Sequence, residues 1–476
     1  MSLRHWVQAC VGLVCLLLVL RVCFVAAYVV PTGSMAPTLR GWHRVSPCPR
    51  CSYEVAVGWQ PVSSREDRPG RGHCPNCGQE FSLASAPLIG GDRLLVDQNV
   101  FAWRSPRRWE MAVFVAPEAL DPSHTLYVKR VVGLPGEAIR LWEGDVYANG
   151  ELCRKDWTQV EQLWQLVLDM DYPPRPQGWS VRWLVDPPDD PRLPRPPLDS
   201  SPAIAPAEMV QGSQLYLSAS QSPQDQRGLT YRQWDYDEQR EVPLRAENAY
   251  NGAVRGRAFL PPVHDFAMEC TVEVLQTWPS GELAVRLYDG ADTIEAIVPL
   301  GGDTRRRCHL LAETHCQAVT TMLHPWVPGG RYRLGVSFCD RRAIVVVDGH
   351  TLLTQDLPPP RQPRAAVSRP LQLRVRGASV RIHHLRLFND VYYTGDGQHA
   401  TDQAVWLGAD EYFVLGDNSG NSTDSRHWSY PGVPRSAFIG KPFVIHQPLR
   451  PAVLFWDGDR PRVVQRLDWS RVRWLR

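Results

Sequence analysis

The sequence predicts a mainly β protein with a single N-terminal transmembrane helix. Prolines number 42 in 476 residues and favour turns and short strands over long helices. Apolar and polar residues alternate in a succession of short segments after residue 266, which is typical of half-buried strands. One long stretch, at residues 6–30, is apolar enough to cross a bilayer.

Length and charge exclude several classes of protein. The chain is 43% hydrophobic and 21% charged, with a formal net charge of +2. These values exclude a polytopic membrane protein and a wholly disordered chain. The length suggests roughly two to four domains. Because 52 basic residues balance 50 acidic ones, no overall field directs the protein to nucleic acid, and we expect no nucleic-acid partner.

The apolar stretch at residues 6–30 carries one charge, Arg21. A spanning helix needs about 20 apolar residues, so we predict one span in which Arg21 reaches the interface along its apolar stem. A cleavable signal peptide is the alternative, because a short basic start before an apolar core also fits one. Basic residues do not set the orientation, since Arg4 precedes the span and four arginines belong to it or follow it: Arg21, Arg40, Arg44 and Arg50.

The segment after this stretch reads PTGSMAPTL, residues 31–39. Ser34 in this setting is either a turn residue or an activated nucleophile. A serine at its ordinary pKa is a poor nucleophile and needs a base. No convincing His and Asp set accompanies a G-x-S-x-G sequence, which argues against a catalytic-triad hydrolase.

The candidate base lies in YVKRVVGLPGE, residues 127–137. Strand alternation sends Lys129 and Arg130 to opposite faces, so we expect one to be buried while the other meets water. A buried amine loses its proton more easily, by up to several pKa units, and can then accept a proton from a serine at neutral pH. A solvated lysine on an edge strand is the alternative.

A third segment, GDNSGNSTDSR at residues 416–426, follows a short apolar strand. Its glycines and Asx residues predict a turn. Asp424 and Arg426 are spaced to lock that turn through a charge-assisted pair. Alone, the segment would be interpreted as a polar loop.

Together, these three segments in this order resemble type I signal peptidases, the membrane-bound Ser/Lys endopeptidases that remove signal peptides from exported proteins. PTGSMAPTL is similar to the family's nucleophile box and YVKRVVGLPGE to its lysine box. GDRLLVDQ at residues 91–98 is similar to the strand box, and GDNSGNSTDSR to the final box. The resemblance covers about half of the chain, at residues 6–47, 83–156 and 401–450.

The resemblance implies a role for each matching residue. Ser34 would be the nucleophile and Lys129 its general base, with no cofactor for catalysis. The backbone N–H of Ser34 and the hydroxyl of Thr32 would form the oxyanion hole, in which one donor is typically worth about 3 kcal/mol. The supporting residues would orient the amine and hold the scaffold: Ser422 for the amine, Asp424 and Arg426 for the scaffold, with Asp417 and Asn418 beside them.

Two positions depart from the family's pattern. Ser419 stands where the family commonly has arginine, which puts the geometry of the surrounding loop in doubt. Trp109-Glu110 replaces the usual Gly-Asp before the strand at residues 111–115, a difference that we interpret as structural. Neither departure removes an acid, a base or a nucleophile.

The resemblance also implies topology and partners. The family's active site faces the compartment into which precursors emerge. We therefore expect a single-pass protein of the cytoplasmic membrane with its catalytic domain on the extracytoplasmic side. Its substrates would be secretory preproteins with small residues at positions −1 and −3, bound by strand addition. The lipid bilayer would be a second partner, because it holds precursor and protease in one thin layer.

Two insertions interrupt the boxes, and the smaller one carries four cysteines. Cys48 and Cys51 form one C-x-x-C knuckle, and Cys74 and Cys77 form another. Two such knuckles predict a zinc-ribbon-like module around one structural zinc ion. Two disulfides are the alternative in an oxidising compartment. We interpret the adjoining His73 as a surface residue.

The larger insertion begins with a proline-rich stretch that we interpret as loops around a strand at residues 179–185. Alternating strands follow from residue 266, with a hairpin signal at Asp348-Gly349. Their spacing predicts a β-sandwich resembling concanavalin or laminin-G-like jelly rolls. Such sandwiches often bind sugars, so the alternatives are an envelope or glycan partner and a spacer or docking role. Four cysteines of this insertion could pair or simply pack: Cys270, Cys308, Cys316 and Cys339.

We therefore expect four parts. A cytoplasmic stub and transmembrane helix occupy residues 1–30, and the β-sandwich occupies residues 157–400. The signal-peptidase β-fold is divided between residues 31–156, with the zinc-ribbon-like insert at 48–82, and residues 401–476. The basic tail at the end either rests on lipid headgroups through Trp469 and Trp474 or is frayed and solvated.

Two rival functions remain at this point. In the first, the peptidase body is a degenerate scaffold and the sandwich recognises glycan or protein; the intact catalytic set argues against it. In the second, the protein is a self-cleaving regulator of the repressor type. The apolar span and the lack of a basic DNA-binding module argue against that.

Overall fold

The computed structural model describes residues 4–8, 11–12, 24–59, 70–116, 125–186, 203–222, 225–253, 259–301, 307–312, 317–322, 324–360, 362–457 and 460–475. Strands dominate this part of the chain, so the mainly β prediction is confirmed. The helical segments are short and include the α-helices Val100–Trp103 and Trp157–Leu163 and the 3₁₀ turns Ser180–Arg182, Ala249–Asn251, Ser419–Asn421, Arg435–Ala437 and Trp469–Arg471.

An eight-stranded antiparallel sheet, here called the catalytic sheet, joins segments from both ends of the chain. Apolar side chains cover both of its faces: Met111 and Val113 belong to one buried cluster, and Ala112 and Phe114 to another. Successive residues of the strand Met111–Val115 point to opposite faces of the sheet, and both faces are therefore buried. The strands, in spatial order, are Val25–Val29, Arg93–Asp97, Phe438–Ile445, Met111–Val115, Leu126–Gly133, Glu411–Leu415 and Val433–Pro434, with Arg473–Trp474 added beside Phe438–Ile445.

A smaller four-stranded sheet follows the lysine strand Leu126–Gly133. It packs through Ile139, Leu141 and Val146 into a third buried cluster that also contains Phe413 of the catalytic sheet. Its strands, in spatial order, are Glu151–Leu152, Asp145–Ala148, Ala138–Trp142 and Val405–Trp406.

The larger insertion forms one thirteen-stranded sheet that folds over on itself into two layers. Its two longest strands, Phe266–Tyr288 and Leu371–Asn389, pair along their whole length and run through both layers. A single hydrophobic core contains side chains from both halves of these strands, such as Val272 and Leu283. The other strands are Gln165–Asp169, Trp183–Val185, Val210–Gln211, Gln214–Ser218, Gln226–Tyr231, Thr293–Pro299, Arg307–Ala312, Gln317–Thr321, Arg331–Cys339, Arg342–Val347 and His350–Asp356.

Details of this insertion differ from the sequence prediction. The segments 266–275 and 282–290, expected as separate strands, lie on the one strand Phe266–Tyr288, because Pro279 and Gly281 produce a register shift rather than a turn. The strand expected at residues 179–185 is reduced to Trp183–Val185. The predicted hairpin is present: Asp348 and Gly349 have φ of 49° and 83° between paired strands.

Four small sheets complete the described structure. The three-stranded one follows the nucleophile box and carries Glu54–Gly58 at one edge. The strands of the three-stranded sheet are His43–Pro47, Glu54–Gly58 and Leu88–Ile89. The three two-stranded sheets pair Arg71–His73 with Glu80–Ser82, Trp234–Asp235 with Arg240–Glu241, and Leu449–Asp457 with Arg460–Leu467.

At the C-terminus, Arg473–Trp474 pairs with Phe438–Ile445, so this part of the tail is not frayed. Trp469 and Trp474 are exposed.

At the N-terminus, most of the predicted membrane span, including residues 13–23, lies outside the described residues. Within the described ranges, no helix is long and apolar enough to cross a bilayer. Residues 25–29 of the predicted span form the strand Val25–Val29, which pairs with Arg93–Asp97. A helix that precedes this strand ends at residue 24 or before, so the boundary predicted at residue 30 is wrong by at least six residues. The sequence VAAYV suits a strand as well as a spanning helix, and pairing with the partner strand decides between them.

Candidate active site

Ser34 lies in a compact loop, residues 31–42, here called the nucleophile loop. The loop is closed by two backbone hydrogen bonds, from Ala36 N to Gly33 O (3.1 Å) and from Leu39 N to Met35 O (2.8 Å). Ser34 is half-buried, and Thr32, the expected second oxyanion donor, is exposed. The serine is thus held on a fixed backbone next to a side chain that can meet substrate.

Lys129 is the buried amine that the sequence predicts. Its residue is 2% exposed, and its Nζ donates to Ser422 Oγ at 2.8 Å. Burial lowers the pKa of Lys129 to about 8; Asp424 partly opposes this shift, and Arg426 adds to it. Lowering the pKa to this value makes the neutral amine, the form that a general base requires, far more abundant near physiological pH than it is for an ordinary lysine.

Arg130 was expected to meet water if Lys129 did not, and this expectation is wrong. Arg130 is fully buried, because the catalytic sheet is covered on both faces. Its Nε and Nη2 each donate to a different carboxylate oxygen of Asp417 at 2.7 Å. Asp417 thus supports the site by compensating a buried guanidinium directly beside the lysine.

The final box folds around a second buried pair, Asp424 and Arg426. Arg426 Nε donates to Asp424 Oδ1 and its Nη2 to Asp424 Oδ2, both at 2.9 Å. Burial opposes ionisation of Asp424, but the neighbouring His427 and Arg426 side chains outweigh it and hold the pKa of Asp424 well below its usual value. The pair therefore stays charged and fixes the turn that carries Ser422.

Ser419, the unusual residue of this box, is part of the same network. Its hydroxyl accepts from Arg426 Nη1 and from Thr394 N, both at 2.9 Å. Thr394 in turn accepts from Arg426 Nη1 through its own carbonyl, at 2.9 Å. Ser419 thus links the turn to the segment that leaves the sandwich, and its place in the loop is well determined.

Trp109 adopts φ of 72°, a left-handed conformation in which the family's usual glycine would be unstrained. The tryptophan is nevertheless buried, and its ring lies 4.3 Å from Lys155 Nζ. Its carbonyl accepts from Arg130 Nη1 at 2.6 Å. The following Glu110 pairs with Arg104 at 2.8 Å. These contacts agree with a structural role for both substituted positions.

Asn418 joins the nucleophile loop to the final box. Its backbone N–H donates to Ser34 O at 3.0 Å, and its Nδ2 donates to Gly33 O at 2.9 Å. Gly416 permits this approach, since a Cβ there would overlap both the Ser422 hydroxyl and the Ser34 carbonyl. The structure therefore brings the nucleophile box, the lysine box and the final box together. Within the described part of the chain, no hydrogen bond joins the Ser34 hydroxyl to Lys129.

Sequence reasoning missed Asn251, a residue of the large insertion. Its amide exchanges hydrogen bonds with the amide of Asn418, at 2.7 and 2.8 Å. The two residues are 167 positions apart in the chain, and nothing local in either segment signals the contact.

The four knuckle cysteines also come together. All four are buried, and their Sγ atoms lie within 4.8 Å of one another. The Sγ atoms of Cys48 and Cys77 are 3.5 Å apart, and those of Cys51 and Cys74 are 3.6 Å apart. A tetrahedral zinc ion with Zn–S bonds of about 2.3 Å separates its sulfur ligands by about 3.8 Å. The donor set therefore fits a tetrahedral metal site, whereas each S–S bond of a disulfide would require about 2.05 Å.

His73 was expected at the surface, and this is wrong. It is 2% exposed, and its Nε2 lies 3.6 Å from a carboxylate oxygen of Glu247 in the large insertion. Of the four cysteines of the large insertion that could pair or pack, Cys270, Cys308 and Cys339 are buried and free in the described structure, and Cys316 lies outside the described residues.

A second group of potential metal ligands, Asp145, Asp265 and Asp340, is already neutralised by cations of the protein. Arg364 pairs with Asp145 at 3.0 Å, and Lys155 pairs with Asp340 at 2.7 Å. These carboxylates need no metal ion, and they connect the four-stranded sheet to the sandwich.

Known proteins match the catalytic body. The family model described as signal peptidase, peptidase S26, matches residues 80–171 and 368–446. A probable signal peptidase I-2 of Synechocystis sp. is 35% identical over 68 residues, which are 14% of this chain and 31% of the relative. A signal peptidase I of Leptolyngbya laminosa is 38% identical over 72 residues, 14% of this chain and 36% of the relative. The chain thus spans about a third of the length of these curated relatives.

Solved structures match the chain more weakly. The carbohydrate binding module CBM66 from Bacillus subtilis is 12% identical, and the match covers 37% of this chain and 95% of that structure with a TM-score of 0.22. The Emp47p carbohydrate recognition domain is 15% identical and covers 38% of this chain and 85% of that structure with a TM-score of 0.25. Scores this low identify neither a fold family nor a ligand.

The family match contains Lys129 and the whole final box, and it begins after Ser34. It also includes the first strand of the sandwich sheet, Gln165–Asp169, and after it resumes at residue 368 it includes the last one, Leu371–Asn389. The family model does not match residues 172–367. The resemblance of this chain to type I signal peptidases, which are serine peptidases, is therefore confirmed over the strand that carries Lys129 and the turn that carries Ser422.

Proposed function

We propose that this protein is a membrane-anchored serine endopeptidase that cleaves N-terminal signal peptides from exported preproteins. The observation that carries the proposal is the buried amine of Lys129, with a pKa of about 8, on the same hydrogen-bonded frame as the Ser34 backbone. A lysine in this state is a base at neutral pH and has no need of a histidine.

The proposed reaction proceeds through an acyl-enzyme. Neutral Lys129 accepts the proton of the Ser34 hydroxyl as Ser34 Oγ attacks the carbonyl carbon before the scissile bond. Ser422 holds the amine by accepting its hydrogen bond at 2.8 Å. The protonated amine then gives its proton to the departing amino group. A water molecule, deprotonated by Lys129, then attacks the acyl carbon, and Lys129 gives this proton to Ser34 Oγ as the acyl group leaves.

Two donors are proposed for the oxyanion of the tetrahedral intermediate, the backbone N–H of Ser34 and the hydroxyl of Thr32. Thr32 is exposed and belongs to the same loop as Ser34, so its hydroxyl is free to turn towards substrate. No cofactor takes part in these steps. Asp417, Asn418, Asp424 and Arg426 act by fixing the backbone around the reacting groups.

The setting of the reaction is part of the proposal. The apolar stretch that ends before Val25–Val29 would anchor the chain in the cytoplasmic membrane, with the catalytic sheet on the extracytoplasmic side. The substrates would be preproteins with small residues at positions −1 and −3, held as an added strand. Trp469 and Trp474, both exposed, suit contact with the bilayer interface.

The test of this function is cleavage of a detergent-solubilised precursor bearing an Ala-x-Ala site. We expect the full chain to cut once, after the second Ala, as read from the masses of the two products. Ser34→Ala provides the background, because it removes the attacking oxygen and little else. Folded wild-type protein that leaves several such precursors uncut would contradict the proposal.

We also propose that Cys48, Cys51, Cys74 and Cys77 hold one structural zinc ion, as the spacing of their sulfur atoms supports. We expect about one zinc ion per purified chain by metal analysis. Cys48→Ser should lose most of the zinc, whereas Cys339→Ser, which alters another buried free cysteine, should keep it. Less than half an equivalent of zinc, with no free thiols at the four positions, would mean disulfides instead.

A further inference from the structure

A segment of the large insertion lies inside the active-site framework. Residues 248–251, here called the strut, consist of Asn248 and the 3₁₀ turn Ala249–Asn251. They contact both the nucleophile loop and the final box. We propose that the strut holds the nucleophile loop in its reactive position and that Asn251 is a positioning residue. The proposal rests on the proposed peptidase function and assigns a catalytic purpose to the insertion.

The first contact is the pair of amides from Asn251 and Asn418. Asn251 Nδ2 donates to Asn418 Oδ1 at 2.8 Å, and Asn418 Nδ2 donates back to Asn251 Oδ1 at 2.7 Å. The same Asn418 Nδ2 donates to Gly33 O at 2.9 Å, one residue before Ser34. Asn251 therefore fixes the orientation of the side chain that holds the nucleophile loop.

The second contact is made by the other strut residues. Asn248 Nδ2 donates to Ala36 O at 2.9 Å, and the Tyr250 hydroxyl donates to Trp42 O at 3.2 Å. The Tyr250 ring is buried against Gly33, where a Cβ would overlap it. The strut thus holds the loop directly at points on both sides of Ser34.

The strut is itself supported from behind by the cysteine module. Ala253 N donates to Arg71 O at 2.7 Å, on the strand that leads to Cys74. Glu247 lies 3.6 Å from His73 on the same strand. Because the residues on both sides of the strut are held by the cysteine module, the strut can limit the motion of the nucleophile loop. An error of about 1 Å in a reacting group can reduce the rate 10²-fold, so such support matters for catalysis.

The test compares Asn251→Ala with wild type in cleavage of the Ala-x-Ala precursor. We expect kcat to fall about tenfold or more with KM unchanged, because substrate binding does not use this amide, and we expect the melting temperature to stay within a few degrees. Hydrogen exchange at residues 33–39 should become faster while the sandwich core is unaffected. Gln355→Ala is the matched control, since it removes a half-exposed amide of the same insertion and should change nothing.

Two results would contradict the proposed role of the strut. One is a kcat within twofold of wild type together with unchanged exchange at residues 33–39. The other is a loss of activity that only follows the loss of folded protein, with kcat per folded chain unchanged. If wild type cuts no precursor, the proposed function fails and hydrogen exchange alone tests the strut. Unchanged exchange rates at residues 33–39 in Asn251→Ala would then refute the proposal that the strut holds the nucleophile loop.

Discussion

Replacing Lys129 with alanine is expected to lower the rate of precursor cleavage by about 10²–10⁴-fold, the usual contribution of a general base. The fold should survive, because the carboxylates nearest to Lys129, those of Asp417 and Asp424, keep their arginine partners. Ser422 loses one hydrogen bond. The measurement is kcat/KM on the Ala-x-Ala precursor, with circular dichroism and the melting temperature recorded for each variant.

Lys129→Arg is the matched control, since it keeps a long basic side chain. A guanidinium stays protonated at any accessible pH and cannot accept the serine proton. We therefore expect Lys129→Arg to be as inactive as Lys129→Ala. If either variant kept a tenth of the wild-type rate, another group would have to be the base.

The pH dependence follows from the same group. The pKa of Lys129 is lowered to about 8, and only the neutral form is active. As pH rises towards 8, the neutral fraction grows, so kcat/KM should increase about tenfold per pH unit below 7 and level off above pH 8 or so. A lysine with an ordinary pKa near 10.4 would move that plateau above pH 10. A flat profile between pH 6 and 9 would contradict the role of Lys129.

The residues that we propose for the site could be recognised in the sequence because each lies in a short segment with its own signature. Ser34, Lys129 and Asp424 are recognised from their immediate neighbours, and the sheet that carries Lys129 follows from alternation. The order of the segments then predicts that they meet. What could not be predicted is how they are held together, because those contacts cross long stretches of sequence.

Arg130 shows one reason why parts of the structure could not be predicted from the sequence. Strand alternation predicts which residues share a face, but it does not say how many faces are covered. Both faces of the catalytic sheet are covered. Arg130, on the second face, is therefore buried, and Asp417 compensates its charge. The strand Val25–Val29 shows another reason: its apolar sequence fits a helix in a bilayer or a strand in a sheet, and a distant strand decides.

The large insertion shows a third reason why part of the structure could not be predicted. Its alternation predicts a layered β structure, which is found, but the interpretation as a spacer or docking module treats it as separate from the peptidase. Asn251 contradicts that separation, since it bonds to Asn418 of the final box. The strut has no periodicity and no motif, and only the folded chain reveals it.

Asp417→Ala is expected to cause the largest loss of stability among single changes at this site. The side chains of Arg130 and Asp417 are both fully buried, so removing the carboxylate leaves an uncompensated guanidinium in the interior. Breaking a buried pair in this way typically costs about 3–5 kcal/mol. The measurement is the shift of the urea transition followed by a probe in the catalytic sheet, because large chains with several domains commonly unfold in more than one step.

Asp356→Ala is the matched control for this prediction. Asp356 also accepts two hydrogen bonds from one arginine, Arg342, but its side chain is 43% exposed. Solvent replaces the lost partner there, so the cost should stay below about 1 kcal/mol. Arg130→Met combined with Asp417→Ala removes both charges and should recover part of the lost stability. Equal losses for Asp417→Ala and Asp356→Ala would mean that burial is not what makes the first pair important. In that case Asp417 would support the site only through the backbone of the final box.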